Sequence, residues 1–169
     1  MSRIKVDSIV PRGGLPTGAS GGGIIQIVQN VQGIGLIENS GTSEYDIGLN
    51  CTITPQRSDS KILINANWPA IQNGAFGIDY YLSRGTTHIH MIQLYQGLSG
   101  SWTASCPNMV YLDSPSITSP VTYKISAKTQ SGGTLRTNYE LYTNDDTTVH
   151  GELTGYGSRS TMILMEVSG

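Results

Sequence analysis

Apolar and polar residues alternate with a period of two over several short stretches of this chain, and no stretch sustains the period of a helix. The pattern is plainest between Met109 and Lys128. Met109 to Leu112 is a short apolar run. Asp113-Ser114-Pro115 and Ser119-Pro120 cannot continue a central strand, and Thr122 to Thr129 then alternates again. Tyr123, Ile125 and Ala127 are expected on one face and Lys124, Ser126 and Lys128 on the other, the pattern of a half-buried antiparallel strand.

The same criteria predict further strands. Ile24 to Val31 is partly apolar on both faces, with Ile25, Ile27, Gln29 and Val31 expected on one of them, so this strand is expected inside the fold or in an interface. Gly33 to Asn50 reads as loop, with a turn at Asn39-Ser40-Gly41, before a short strand from Asn50 to Thr54. Lys61 to Trp68 is a strand whose Ile62, Ile64, Ala66 and Trp68 should line the core. Phe76 to Arg84 and Thr87 to Leu94 flank Gly85-Thr86 and predict a hairpin with a two-residue turn. Gln96 to Asn108 reads as irregular, although Trp102 within it needs a place to bury its ring. Strands are predicted over Thr134 to Thr143, over Thr147 to Thr154 after a turn at Asn144-Asp145-Asp146, and over Ser160 to Val167 after a Gly-Tyr-Gly-Ser break. The last of these is apolar on both faces through Met162, Ile163, Leu164 and Met165, as a central strand should be. Short strands at regular intervals without an internal repeat predict an all-β sandwich or barrel.

Residues 1 to 23 follow another pattern. Arg3 to Val10 is an extended, alternating piece able to add to a sheet, and the Gly/Pro/Ser-rich stretch after it is a tether. This predicts an N-terminal arm over 1–23 and a single β-sandwich domain over 24–169, a size at which all-β domains are commonly undivided.

Composition narrows the function classes. Charged residues make up 13% of the chain, about half the usual share, and serine, threonine and 21 glycines dominate, so the surface is hydroxyl-rich. A net charge of −2 provides no basic footprint for nucleic acid or an anionic membrane. Asp7 and Pro11 interrupt what would have to be the apolar core of a signal peptide, and no apolar run is long enough to span a bilayer, so a soluble protein made in a cytoplasm is expected. Cys51 and Cys106 are expected to be reduced and buried.

The segments Arg-Ile-Lys-Val-Asp-Ser-Ile-Val-Pro at 3–11, Pro-Thr-Gly-Ala-Ser-Gly-Gly-Gly-Ile-Ile-Gln at 16–26, Ser-Lys-Ile-Leu-Ile at 60–64, Tyr-Leu-Asp-Ser-Pro at 111–115, Thr-Tyr-Lys-Ile at 122–125 and Thr-Met-Ile-Leu-Met-Glu-Val at 161–167 together resemble small virion surface proteins of tailed bacteriophages, especially those of cyanophages. The resemblance spans the chain, and its motifs are strand scaffolding. It implies a jelly-roll module that assembles as a homotrimer and serves as a capsid decoration or cement protein, or as a tail-fibre or appendage tip that binds host-surface glycan. An arm of 23 residues reaches roughly 80 Å at most, short for a fibre stem, which favours a protein on the capsid shell at the virion surface and puts capsid decoration first and a fibre tip second. Its partner would then be the phage major capsid protein, met through Arg3, Ile4, Lys5, Val6, Ile9, Val10 and Arg12.

Other chemistry gains little support. His88 and His90, two apart on a predicted strand, are expected on one face. At a three-fold axis their nitrogens would converge on a transition metal, but two partly exposed histidines on a sheet is the simpler expectation, and His150 is too remote in sequence to decide it. Asp79, Asp113, Glu140 and Glu152 are scattered carboxylates with no nucleophile or phosphate motif beside them, and Asp113 is accounted for as the first residue of a turn. A non-enzymatic protein without cofactor or metal is therefore expected. Nine tyrosines and two tryptophans against the single Phe76 suit a surface that contacts sugars or other subunits, with Tyr80, Tyr123 and Tyr139 assigned to core or interface.

Overall fold

A computed structural model describes residues 23–32, 37–74, 76–96, 102–138 and 159–168. The described residues form twelve strands: β1 (Ile24–Val31), β2 (Ile37–Asn39), β3 (Tyr45–Ile53), β4 (Lys61–Asn67), β5 (Ala70–Asn73), β6 (Phe76–Arg84), β7 (Thr87–Gln96), β8 (Trp102–Ser105), β9 (Asn108–Asp113), β10 (Val121–Thr129), β11 (Thr134–Thr137) and β12 (Thr161–Val167). All pairings are antiparallel, in three four-stranded sheets ordered β1-β12-β4-β9, β3-β10-β6-β7 and β2-β11-β5-β8.

With the short strands β2, β5, β8 and β11 set aside, the pairing is nested. The first remaining strand pairs with the last (β1 with β12), and inside that pair β3 meets β10, β4 meets β9 and β6 meets β7. Eight strands nested in this way over two sheets are a jelly roll. The four short strands sit in the β1–β3, β4–β6, β7–β9 and β10–β12 connections, and they repeat the lateral order of the first sheet. The third sheet therefore caps one end of the sandwich. Trp68 lies at this junction, its amide donating to Pro107 O at 3.2 Å, while the Asn138 amide reaches Pro69 O at 3.0 Å.

The alternation places the core as expected. Ile62, Ile64, Ala66 and Trp68 are fully buried, as are Tyr123, Ile125 and Ala127 on the facing sheet. The β6–β7 hairpin closes at Gly85-Thr86 with Arg84 opposite Thr87, and Gly85 takes the positive φ of 60° that such two-residue loops favour. β12 is central, between β1 and β4.

Elsewhere the fold departs from the expectations. The stretch assigned to loop before Asn50 contains β2 and the first half of β3, and β8 lies within the stretch assigned as irregular. β3 carries a bulge. Asp46 pairs with Ser126 and Asn50 with Lys124, so three residues stand opposite Ile125 alone. Gly48, at φ 78°, sits in its middle with its amide donating to Asp46 Oδ1 at 2.7 Å. Added side-chain volume there would meet Gln32 and Ile37, so glycine lets Ile47 and Leu49 both reach the core from an irregular strand. Cys51 is buried as expected, but Cys106 is exposed because it follows β8 on the end cap instead of facing the sandwich. The N-terminal residues assigned to partner binding, the predicted strand over Thr147 to Thr154 and the turn before it, and Tyr139, Glu140, His150 and Glu152 lie outside the described residues.

Candidate interaction surfaces

Each strand of the first sheet sends alternate residues inward and outward, so the register reads out both faces. Inward, Val28, Leu164, Ile64 and Tyr111 form one row across all four strands, and Asn30, Met162, Ala66 and Met109 form the next. Outward, the rows are Ile27, Met165, Leu63 and Leu112, then Gln29, Ile163, Asn65 and Val110. Ile27 is 58% exposed, Val110 55% and Leu112 49%. β12 is apolar on both sides as expected, while β1 is only partly apolar on each, with Gln26 and Asn30 beside Val28 inward and Gln29 beside Ile27 and Val31 outward, and the outer side is bare among the described residues. A bulge between Ile24 and Gln26 displaces Ile25, so Ile27, Gln29 and Val31 alone continue the predicted face.

Chemistry-bearing side chains gather instead on the outer face of the second sheet and at the end of the sandwich opposite the cap. His88 and His90 do not share a face. The register slips between Leu82, which pairs with His90, and Ser83, which pairs with His88, so Ile89 is the extra residue of a bulge and the two rings point to opposite sides. His90 turns inward and stacks on Tyr111 of the first sheet, with centroids 4.9 Å apart. His88 turns outward over Tyr81, at 4.7 Å. This separation removes the shared face on which a three-fold metal site depended.

His88 Nδ1 lies 2.8 Å from Ser83 Oγ and Nε2 lies 3.2 Å from Glu44 Oε2, while Glu44 Oε1 accepts from Ser126 Oγ at 2.5 Å. Serine, histidine and glutamate in a line have the composition of a nucleophilic triad. Ser83, however, is fully buried under the imidazole, so no carbonyl can approach its hydroxyl. The array acts as a brace. Glu44 precedes edge strand β3 and His88 belongs to edge strand β7, and together they tie both edges of the sheet across its outer face. Ser126, expected at the surface, is buried beneath Glu44. Asp79 accepts from Gln93 at 2.7 Å and from Gln130 at 3.1 Å on this same face, beside Tyr95, which is 73% exposed.

At the end away from the cap, Asp113 is more than the start of a turn. It closes β9 on the inward side, 7% exposed, where Arg84 Nη1 meets both carboxylate oxygens at 3.1 Å and Tyr123 donates its hydroxyl to Oδ2 at 2.7 Å. Arg84 and Tyr123 belong to the second sheet, so this carboxylate pins one sheet to the other. Burial, then the hydrogen bond to Asp113, pushes the Tyr123 phenol above its ordinary pKa, with Arg84 opposing.

Glu166, on the same inward row, is fully buried and accepts from Gln26 Nε2 at 2.6 Å and from the amide of Gln56 at 2.8 Å. Burial works to raise its pKa, but hydrogen bonds from Gln26, Ser60 and the amides of Gln56 and Arg57 outweigh it and hold the carboxyl below its ordinary value. A depressed carboxyl contributes stability that is fully present above its unfolded pKa of about 4.3 and lost as pH falls through the lower folded value. Glu166→Gln should therefore lower the unfolding midpoint at neutral pH, with the gap to the unsubstituted protein narrowing below about pH 4. Thermal melts across that range check this. A gap independent of pH would show that the charge of Glu166 contributes nothing.

No family model matches this chain, and no characterised protein matches it in sequence. Among solved structures, a chain from the Gt strain of infectious bursal disease virus aligns over 86% of this chain and 39% of its own, at 13% identity and a TM-score of 0.40. A chain of the T=1 particles derived from infectious bursal virus aligns over 85% and 36%, at 16% identity and a TM-score of 0.37. Dimeric latent PorU from Porphyromonas gingivalis aligns over 89% of this chain and 14% of its own, at 11% identity and a TM-score of 0.34. This chain thus spans at most 39% of the length of these structures. Its assignment as a jelly roll rests on its own strand order, which leaves one outer face largely apolar and, among the described residues, bare, and the other laced with hydrogen bonds.

Proposed function

We propose that this chain is a non-enzymatic structural protein of a tailed-phage virion, a trimeric jelly roll that decorates the capsid and attaches to the major capsid protein through its N-terminal arm. The observation that supports this reading most is the apolar outer face of the first sheet. An isolated protein gains nothing by exposing Ile27 on one edge strand and Val110 and Leu112 on the other with Met165 and Leu63 between them, whereas a subunit of an assembly buries them. The polar clusters support it too. The Glu44–His88–Ser83 array and the Arg84–Asp113–Tyr123 set each hold the sheets in place and offer no accessible nucleophile.

Attachment through Arg3, Ile4, Lys5, Val6, Ile9, Val10 and Arg12 would be multivalent. Three arms on one rigid body bind at high effective concentration, so modest contacts from each can clamp adjoining capsid subunits. Deleting residues 2–20 should abolish attachment to particles and leave the unfolding transition unchanged. Normal decoration by the truncated protein would refute the role of the arm. A second reading, a tail-fibre tip that binds host-surface glycan, draws its support from Tyr95 standing beside the amide-braced Asp79, and it predicts retention of the protein on host polysaccharide.

A further inference from the structure

We propose that an ordered water molecule is bound between the two sheets at the capped end of the sandwich, held by the indole N–H of Trp68 and the hydroxyls of Tyr45 and Tyr80. The inference goes beyond the reading above and stands or falls without it. Tyr45, Ala127, Tyr80 and Ile92 form one inward row across the second sheet. The two phenols therefore start two strand spacings apart, about 10 Å, with only the methyl group of Ala127 between them. Trp68 meets this row from the end of the first sheet, its ring edge-on to Tyr80 at 5.0 Å.

Three polar atoms are enclosed here without a hydrogen-bond partner: Trp68 Nε1, Tyr80 Oη and Tyr45 Oη. Trp68 and Tyr80 are fully buried. Burial, then the neighbouring Tyr80 phenol, raises the pKa of Tyr45. Burial raises that of Tyr80 as well, and the Trp68 N–H opposes it without closing a hydrogen bond. The groups thus converge on one space and do not satisfy one another. Buried polar groups in native proteins almost always find a partner, ordered water included. The same end encloses two further unpartnered oxygens, Gln32 Oε1 just after β1 and Thr137 Oγ1 at the end of β11, so a polar layer underlies the cap.

The chemistry of the three groups selects water. An indole N–H only donates, whereas each phenol donates or accepts. A water oxygen can accept from Trp68 and from one phenol while donating a hydrogen to the other. That makes three bonds, about the usual number for a buried water. None of the three groups is charged, so neither a cation nor an anion would be balanced there. The water joins Trp68, at the end of the first sheet, to β3 and β6 of the second. It is the cap-end counterpart of Asp113, which joins the same two sheets at the other end.

A crystal structure of the full chain, at a resolution that shows ordered solvent, tests this. One water peak should lie within about 2.7–3.2 Å of Trp68 Nε1 and of both phenol oxygens. The peak should be lost from Tyr45→Phe/Tyr80→Phe, which keeps both rings and leaves a single donor. In thermal melts either substitution alone should lower the midpoint, and the second should add little to the first, because both hydroxyls act through one water. The proposal is overturned by an unsubstituted protein with no peak in that space, by phenols bonded directly to each other or to Trp68, by a peak that survives the double substitution, or by losses in midpoint that add in full.

Discussion

Trp68→Ala should lower the stability of this protein by about 3–5 kcal/mol, the cost of a large buried ring replaced by a cavity. Trp68 is fully buried and meets Tyr80 edge-on, with ring centroids 5.0 Å apart and planes at 60°. Its backbone fixes the place where the first sheet passes into the end cap, through the hydrogen bond to Pro107. The cavity would open between the sheets and beneath the cap at once, so little collapse is available to refill it. In a domain of this size the melting temperature should fall by roughly 6–20 °C. Trp68→Phe, which keeps a ring against Tyr80, should cost clearly less. Equal losses for the two variants would show that the ring's packing is not what Trp68 supplies.

Asp113→Ala should cost about 2–4 kcal/mol, because it strands two groups instead of one. The Arg84 guanidinium would lose its carboxylate, and the buried Tyr123 hydroxyl would lose its acceptor. Arg84 keeps a third of its side chain in solvent, which places the expected cost below that of a fully enclosed pair. Tyr123→Phe removes one hydrogen bond and leaves the ion pair, so about 1 kcal/mol is expected. Once Asp113 is gone, Tyr123→Phe should cost almost nothing more, and a double-mutant cycle reads that coupling directly. Additive losses would mean that the two residues stabilise the sandwich independently.

Strands that alternate cleanly were legible in the sequence, and those that bend were not. β4, β6 and β10 follow the period of two, and their inward residues form the core. The first half of β3 hides because its bulge puts Asp46 and Gly48, both turn-forming residues, inside a strand. The bulge at Ile89 is equally silent in sequence, and it turns two histidines expected on one face to opposite sides. Asp113 was legible as the end of a strand, since Ser114 and Pro115 follow it, but its partners Arg84 and Tyr123 come from strands whose approach only the fold decides. Ser83 and Glu44 were missed for the same reason, because they flank His88 only after β3, β10, β6 and β7 align.

The apolar face was half legible. Met162 to Met165 announces itself as apolar on both sides and Ile24 to Val31 as partly so, which points to a partner on each side. Pairing with β4 and β9 then extends that property over four strands, through Leu63, Val110 and Leu112. None of these three signals anything alone, since single exposed apolar residues are common on any protein. Their alignment in rows is a product of register.

Immunolabelling of intact phage particles with antibody raised against this chain tests the central claim most directly. Label distributed over the capsid shell is the predicted result. Label confined to the tail, or absent from purified particles, would contradict it.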